Sequence, residues 1–226
     1  MNDNAVLSEP NANWLQRWEQ NNIGWHHEEF NPHLTGHWHR LNMPPETRVL
    51  VPLCGKSRDM AWLADQGHSV FGVELSPLAV ETFFAEQNLR PERDADPDLE
   101  SWRAGPFELL CGDIFALTRQ RIGDLHAVYD RASLVALNPR QRRHYAELIA
   151  DLLPSGSRML LVAMDYDQQQ MPGPPFSVSD PEVHTLYDAH FDVEMLDALD
   201  LIQDSDRYRE KGLTRLIERV YALKRL

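Results

Sequence analysis

The chain has 226 residues, with 42% hydrophobic and 25% charged side chains. That balance is ordinary for a globular protein and excludes disorder, collagen and a disulfide-held miniprotein. Lys and Arg number 22 against 35 Asp and Glu, a net charge of −13, so the average field repels polyanions and neither nucleic acid nor a membrane surface is an expected partner. Two cysteines, a start without a cationic segment leading into an apolar one, and apolar runs far short of the ~20 residues of a spanning helix predict a reduced, unexported, cytoplasmic chain.

Residues 1–46 are rich in Trp and His and show no strand pattern, which predicts a helical lid. From Thr47 onward, short apolar runs alternate with helical patterns. Arg48 to Val51 and Ser69 to Val73 read as strands, separated by a helix over Ser57 to Gln66 whose Met60, Leu63 and Ala64 share one face. Ser76-Pro77 opens a second helix, with Ser as N-cap and Pro in the first turn. Pro91 to Pro106 holds three prolines and is expected to be a loop. Phe107 to Leu110, Ala127 to Tyr129 and Met159 to Met164 continue the strands, with a helix inside Leu134 to Leu153. Phe191 to Leu199 and Leu216 to Leu223 read as an antiparallel pair at a sheet edge. The expectation is one domain over 1–226: an α/β, doubly wound, mostly parallel seven-stranded Rossmann-like sheet over 47–226, with helices on both faces and the lid over 1–46.

Such sheets bind ligands beyond the carboxyl ends of their strands. The first strand ends in Val51-Pro52-Leu53-Cys54-Gly55-Lys56-Ser57, a tight turn in which Gly55 admits close approach to the backbone. The second ends at Glu74, nineteen residues later, a spacing suited to ribose hydroxyls. The third ends in Cys111-Gly112-Asp113-Ile114 and the fourth in Asp130-Arg131. No G-x-G-x-x-G turn is present, which weakens a nicotinamide-dependent oxidoreductase reading, and Leu50 stands where a phosphate loop needs its leading glycine. A nucleoside without a phosphate bridge fits better, and S-adenosylmethionine is such a ligand. Trp14 and Trp18, at i and i+4, suit either a cover over it or two core side chains on one helical face.

Several segments together carry a resemblance over nearly the whole chain. They are Trp14-x-x-x-Trp18, Ile23-Gly24-Trp25-His26, Pro52-Leu53-Cys54-Gly55-Lys56, Gly72-Val73-Glu74, Tyr129-Asp130-Arg131-Ala132, Pro172-Gly173-Pro174-Pro175-Phe176 and Arg207-Tyr208-Arg209-Glu210-Lys211-Gly212-Leu213. With them the sequence resembles the bacterial branch of the thiopurine S-methyltransferase family. The resemblance implies a class I methyltransferase fold and S-adenosylmethionine as cofactor. Matched residue by residue, it implies that Trp18, Leu53, Glu74 and Arg131 contact the cofactor, with Trp14, Gly55, Asp113 and Ile114 as further contacts. It places Trp25 beside the substrate, where the family usually has Phe, puts Arg207 near the acceptor, and lays the Pro-Gly-Pro-Pro-Phe segment over the pocket.

The expected reaction moves a methyl group to the sulfur of small aromatic or heterocyclic thiols such as thiopurines, and possible selenium or tellurium acceptors extend it. Arg131 and Arg207 are the candidate catalytic residues, because a guanidinium favours a thiolate by charge and hydrogen bonding. Ion pairs of Arg131 with Asp130 and of Arg207 with Asp206 are the competing structural roles. A noncatalytic sensor of the adenosyl ligand, acting through a protein partner, is the alternative function. Five histidines, His26, His27, His33, His37 and His39, crowd a short stretch, and His33 and His37 have metal-ligand spacing. With no accompanying H-E-x-x-H or Cys-pair motif, they are expected to be lid histidines, and no metal is expected. A monomer acting on a small-molecule thiol is the expected form.

Overall fold

The computed structural model describes residues 3–226, with side chains from Asn11 onward. In chain order the elements are α1 (Asp3–Glu19), α2 (Pro32–His37), β1 (Arg48–Pro52), α3 (Asp59–Asp65), β2 (Ser69–Glu74), α4 (Pro77–Glu86), β3 (Glu92–Asp94), β4 (Leu99–Ala104), β5 (Phe107–Gly112), α5 (Arg119–Ile122), β6 (Ala127–Arg131), α6 (Pro139–Leu152), β7 (Arg158–Asp165), α7 (Asp180–Tyr187), β8 (Phe191–Asp200), α8 (Asp206–Glu210) and β9 (Ile217–Arg225). They fall into two compact units, one of residues up to 31 with 44–125, the other of residues 32–43 with 126–226.

In the first unit the strand order is β3-β4-β5-β2-β1. β1 and β5 both pair parallel with β2, while β4 runs antiparallel to β5 and β3 antiparallel to β4. The apolar runs of β1 and β2 are buried almost throughout, as expected for parallel strands covered on both faces. Gly72 is required by packing: a β-carbon there would stand 2.4 Å from Leu109 Cδ2 and 2.8 Å from Cys54 Sγ. α4 starts as its sequence dictates, with Ser76 Oγ accepting from the Ala79 N–H at 3.3 Å and Pro77 following the cap.

The second unit has the order β6-β7-β9-β8, with β6 and β7 parallel and the last two joints antiparallel. Its helix α6 carries a capping box between Asn138 and Gln141 and buries Tyr145, Ala146, Ile149 and Ala150 along one face. The antiparallel pair expected over 191–199 and 216–223 is β8 with β9.

The strand count departs from the sequence reading. Seven strands were expected, and nine are present among the described residues. The two extra ones, β3 and β4, lie in the stretch expected to be a loop between Pro91 and Pro106. The hairpin is held by the edge of β5 and by a side-chain stack in which Arg93 lies 3.8 Å from the Trp102 ring centroid and pairs with Glu100 at 2.8 Å. No helix among the described residues is long and apolar enough to cross a membrane.

Candidate functional site

In the first unit, the turn after β1 and the end of β2 are tied together through one carboxylate. Glu74 Oε2 accepts the Gly55 N–H at 2.8 Å, and Oε1 accepts the Ser76 N–H at 2.8 Å. The side chain is buried, and burial pushes its carboxyl above the ordinary range while the Ser76 and Gly55 amides pull it down. Each oxygen spends one lone pair on the backbone, which leaves the acceptor capacity a sugar hydroxyl needs. The turn itself is in the left-handed region, at φ +46° for Leu53 and +53° for Gly55. A non-glycine residue held there is a local cost that clusters at ligand sites.

Trp18 is buried and its ring lies on Gly55: a β-carbon at that position would stand 3.1 Å from Trp18 Cζ2. Trp25 meets both Trp14 and Trp18 edge to face, with ring centroids 5.1 and 5.9 Å away. The i, i+4 pair is therefore part of a three-indole cluster. Asp113 caps the short turn Ile114–Ala116 by accepting from the Phe115 N–H at 3.0 Å, and its other oxygen accepts from Asn11 Nδ2 of α1 at 2.7 Å. Ile114 is buried beside it. Thus Trp18, Gly55 and Glu74 form one connected group, Trp14 and Trp25 join it through Trp18, and Asp113 is linked to the same helix α1. Burial pushes Cys111 up to about 11, with the Glu74 charge adding to the rise, and it pushes Cys54 well above the ordinary thiol range as well. Both thiols are protonated packing groups rather than nucleophiles.

In the second unit, Arg131 ends β6 and is half-buried, while Arg207 is exposed at the start of α8. Both act on Tyr208. Burial pushes its phenol up, the charges of Arg207 and Arg131 lower it, and that of Glu218 raises it. The Arg207 guanidinium stands 5.6 Å from the Tyr208 ring centroid. Sequence reasoning did not select Tyr208, although it lies within the quoted Arg207 segment. Only the fold shows that the two arginines share it. Asp206, the expected ion-pair partner of Arg207, is paired with Arg209. Asp130 is fully buried and receives the Tyr145 hydroxyl at 2.6 Å. Burial pushes its carboxyl up to about 6 against the hydrogen bonds of Tyr145 and Ser133. In the Pro-Gly-Pro-Pro-Phe segment, the Phe176 ring lies 5.9 Å from the guanidinium of the buried Arg142.

The fold has solved counterparts. A methyltransferase of Burkholderia thailandensis, described as 1,6-didemethyltoxoflavin-N1-methyltransferase with bound 1,6-didemethyltoxoflavin and S-adenosylhomocysteine, superposes with a TM-score of 0.64 at 19% identity. The match covers 98% of this chain and 88% of that one. The architecture is therefore that of the Rossmann-like, S-adenosylmethionine-dependent methyltransferases. Sequence comparison narrows the class. The thiopurine S-methyltransferase of Pseudomonas fluorescens (strain Pf0-1) is 50% identical over 93% of this chain and 97% of its own length. That of Xanthomonas axonopodis pv. citri (strain 306) is 48% identical over 94% and 97%. The family profile described as "Thiopurine S-methyltransferase (TPMT)" matches residues 9–226. The chain belongs to the thiopurine S-methyltransferase family, whose methyl donor is S-adenosylmethionine.

Proposed function

We propose that this enzyme methylates the sulfur of small aromatic and heterocyclic thiols, thiopurines among them, with selenium and tellurium compounds as further acceptors. The observation that carries the reading is the buried Glu74, held by the amides of Ser76 and of Gly55, against which the Trp18 ring rests. A carboxylate at the end of β2 with acceptor capacity left over suits a ribose, and a backbone turn without a β-carbon suits close approach. Trp18, Leu53, Glu74 and Arg131 are the proposed cofactor contacts, with Trp14, Gly55, Asp113 and Ile114 as further ones. Trp25 and Arg207 are the proposed substrate contacts.

S-adenosylmethionine, when bound, supplies an electrophilic methyl carbon on a cationic sulfur. The protein's part is orientation and charge. The Trp18 ring offers a π-face to a cation, worth roughly 0.5–2 kcal/mol. Arg131 and Arg207 favour the thiolate form of the acceptor, and a heteroaromatic thiol is acidic enough to need no strong general base. Their assistance must stay moderate, because a tightly held thiolate attacks more slowly. A noncatalytic sensor finds no support, since the relatives of Pseudomonas fluorescens and Xanthomonas axonopodis are themselves thiopurine S-methyltransferases.

The test is an acceptor panel. S-adenosylhomocysteine release that scales with added heteroaromatic thiol, and is absent with the corresponding hydroxyl and amine compounds, is the expected result. Equal turnover of the oxygen or nitrogen analogues overturns the sulfur assignment. Cys54 and Cys111 carry no disulfide, in keeping with a proposed cytoplasmic setting, and a proposed monomer is checked by sedimentation.

A further inference from the structure

Helix α2 and the turn that follows it lie across one face of the β8–β9 ribbon, fastened by three side-chain contacts in series. His33 Nε2 meets Glu218 Oε2 at 3.0 Å, His37 Nε2 meets Asp197 Oδ2 at 3.4 Å, and Arg40 meets Glu194 at 3.4 Å. The spacing of 33, 37 and 40 is one face of a helix. On the ribbon, Leu199 is paired with Glu218, Asp197 with Val220 and Glu194 with Ala222, so the three carboxylates project from the same face. They do so only because the register slips between Met195 and Asp197. In an unbroken strand Asp197 would share the face of Met195, so the bulge at Leu196 turns its carboxylate toward His37.

The outcome is a cluster found in no part of the proposed methyl-transfer machinery. Ligand atoms of His33, His37 and Asp197 all lie within 4.8 Å of one another. The two imidazole rings are stacked, 6.2 Å apart and 23° from parallel. His33 is buried, and His37 and Asp197 are half-buried, with side chains 21% and 34% exposed, so the group is reachable from solvent at one side. We propose that His33, His37 and Asp197 form a divalent transition-metal site, of which Zn²⁺ is the fitting ion, and that it pins α2 to the β8–β9 ribbon. Two imidazole nitrogens and one carboxylate oxygen match the donor preferences of zinc and leave a fourth position for water. The edge of a zinc tetrahedron with bonds of about 2.0–2.1 Å is ~3.3 Å, close to the His37 to Asp197 separation already present. Glu218, on the His33 ring, supplies the carboxylate partner that ligating histidines carry. No H-E-x-x-H or Cys-pair motif marks these histidines in the sequence, because the carboxylate that completes the set, Asp197, lies 160 positions from His37 and leaves no local pattern.

The test uses the full, untagged chain, stripped with EDTA and titrated with Zn²⁺ alone by calorimetry, with melting temperature as a second readout. One equivalent is expected to bind with micromolar or tighter affinity and raise the melting temperature. His37→Ala and Asp197→Asn, both partly exposed and away from the buried core, should keep the fold by circular dichroism, weaken binding about tenfold or more, and cancel the thermal gain. His144→Ala on α6 should bind as the parent does. No saturable binding at about 1 mM Zn²⁺, binding unaltered in both His37→Ala and Asp197→Asn, or a loss that follows Cys111→Ser instead, overturns the site.

Discussion

The backbone N–H of Gly55 donates to Oε2 of Glu74 at 2.8 Å, joining the turn after β1 to the end of β2 across nineteen residues. The same glycine has the Trp18 ring where its β-carbon would press. One residue thus touches both the buried carboxylate and the indole.

A methyl group on Gly55 would be strained twice. Its φ of +53° is the left-handed region, costing an L-residue roughly 1–2 kcal/mol, and the new β-carbon would stand 3.1 Å from Trp18. Gly55→Ala should remain folded, lose about that much stability, and bind S-adenosylmethionine at least about tenfold more weakly. Calorimetric titration beside a denaturant melt checks both. Unaltered affinity in the folded variant would remove Gly55 from the site.

Trp18 carries a different test. Trp18→Ala removes the π-face over the proposed sulfonium and is expected to raise the Kd for S-adenosylmethionine about 2- to 30-fold, the range that 0.5–2 kcal/mol implies. S-adenosylhomocysteine, which lacks the positive charge, should be affected less. Equal weakening of the two ligands would assign Trp18 to shape alone.

Arg207 is exposed, so its replacement leaves the core untouched. Arg207→Met is expected to lower kcat/KM for a heteroaromatic thiol about tenfold, as for loss of one interaction with a charged group. The Kd for the methyl donor should stay as in the parent, and Arg207→Lys should recover part of the loss. A pH profile supplies the second readout: without the guanidinium the acidic limb should move to higher pH, because the thiolate is less favoured. Unchanged kinetics in Arg207→Met would separate it from catalysis.

Asp130 makes stability depend on pH in a definite direction. Its carboxyl is pushed from the ordinary 3.8 to about 6 by burial. Between those values the native state holds a proton that the unfolded chain has lost, so stability falls as pH rises through the window. Asp130→Asn abolishes this slope. The parent's advantage over the variant, measured by denaturation, should therefore be about 2 kcal/mol greater at about pH 4.5 than at about pH 7.5. A pH-independent difference would show that the buried carboxyl is not the source.

Much of this fold is legible in the residues themselves. The apolar runs that become β1, β2, β6 and β7 are buried on both faces, and continuous burial leaves a local trace. Ser76-Pro77 announces its helix because capping is decided within a few residues. The β3–β4 hairpin leaves no such trace. β3 is exposed along its length, and its pairing depends on the neighbouring edge of β5 and on the Arg93–Trp102 stack, neither of which local patterning reports.

The proposed site divides along the same line. The sequence by itself determined the family, the strand ends and the nineteen-residue spacing of Gly55 and Glu74, since a turn and the next strand end are separated by a distance that one crossover fixes. Tertiary structure alone decided that Trp25 joins Trp14 and Trp18, that Arg131 and Arg207 act on Tyr208, and that a bulge turns Asp197 onto His37. These contacts join residues from separate elements, and a side chain's direction across such a gap is set by packing and strand register, which no local pattern of residue types encodes.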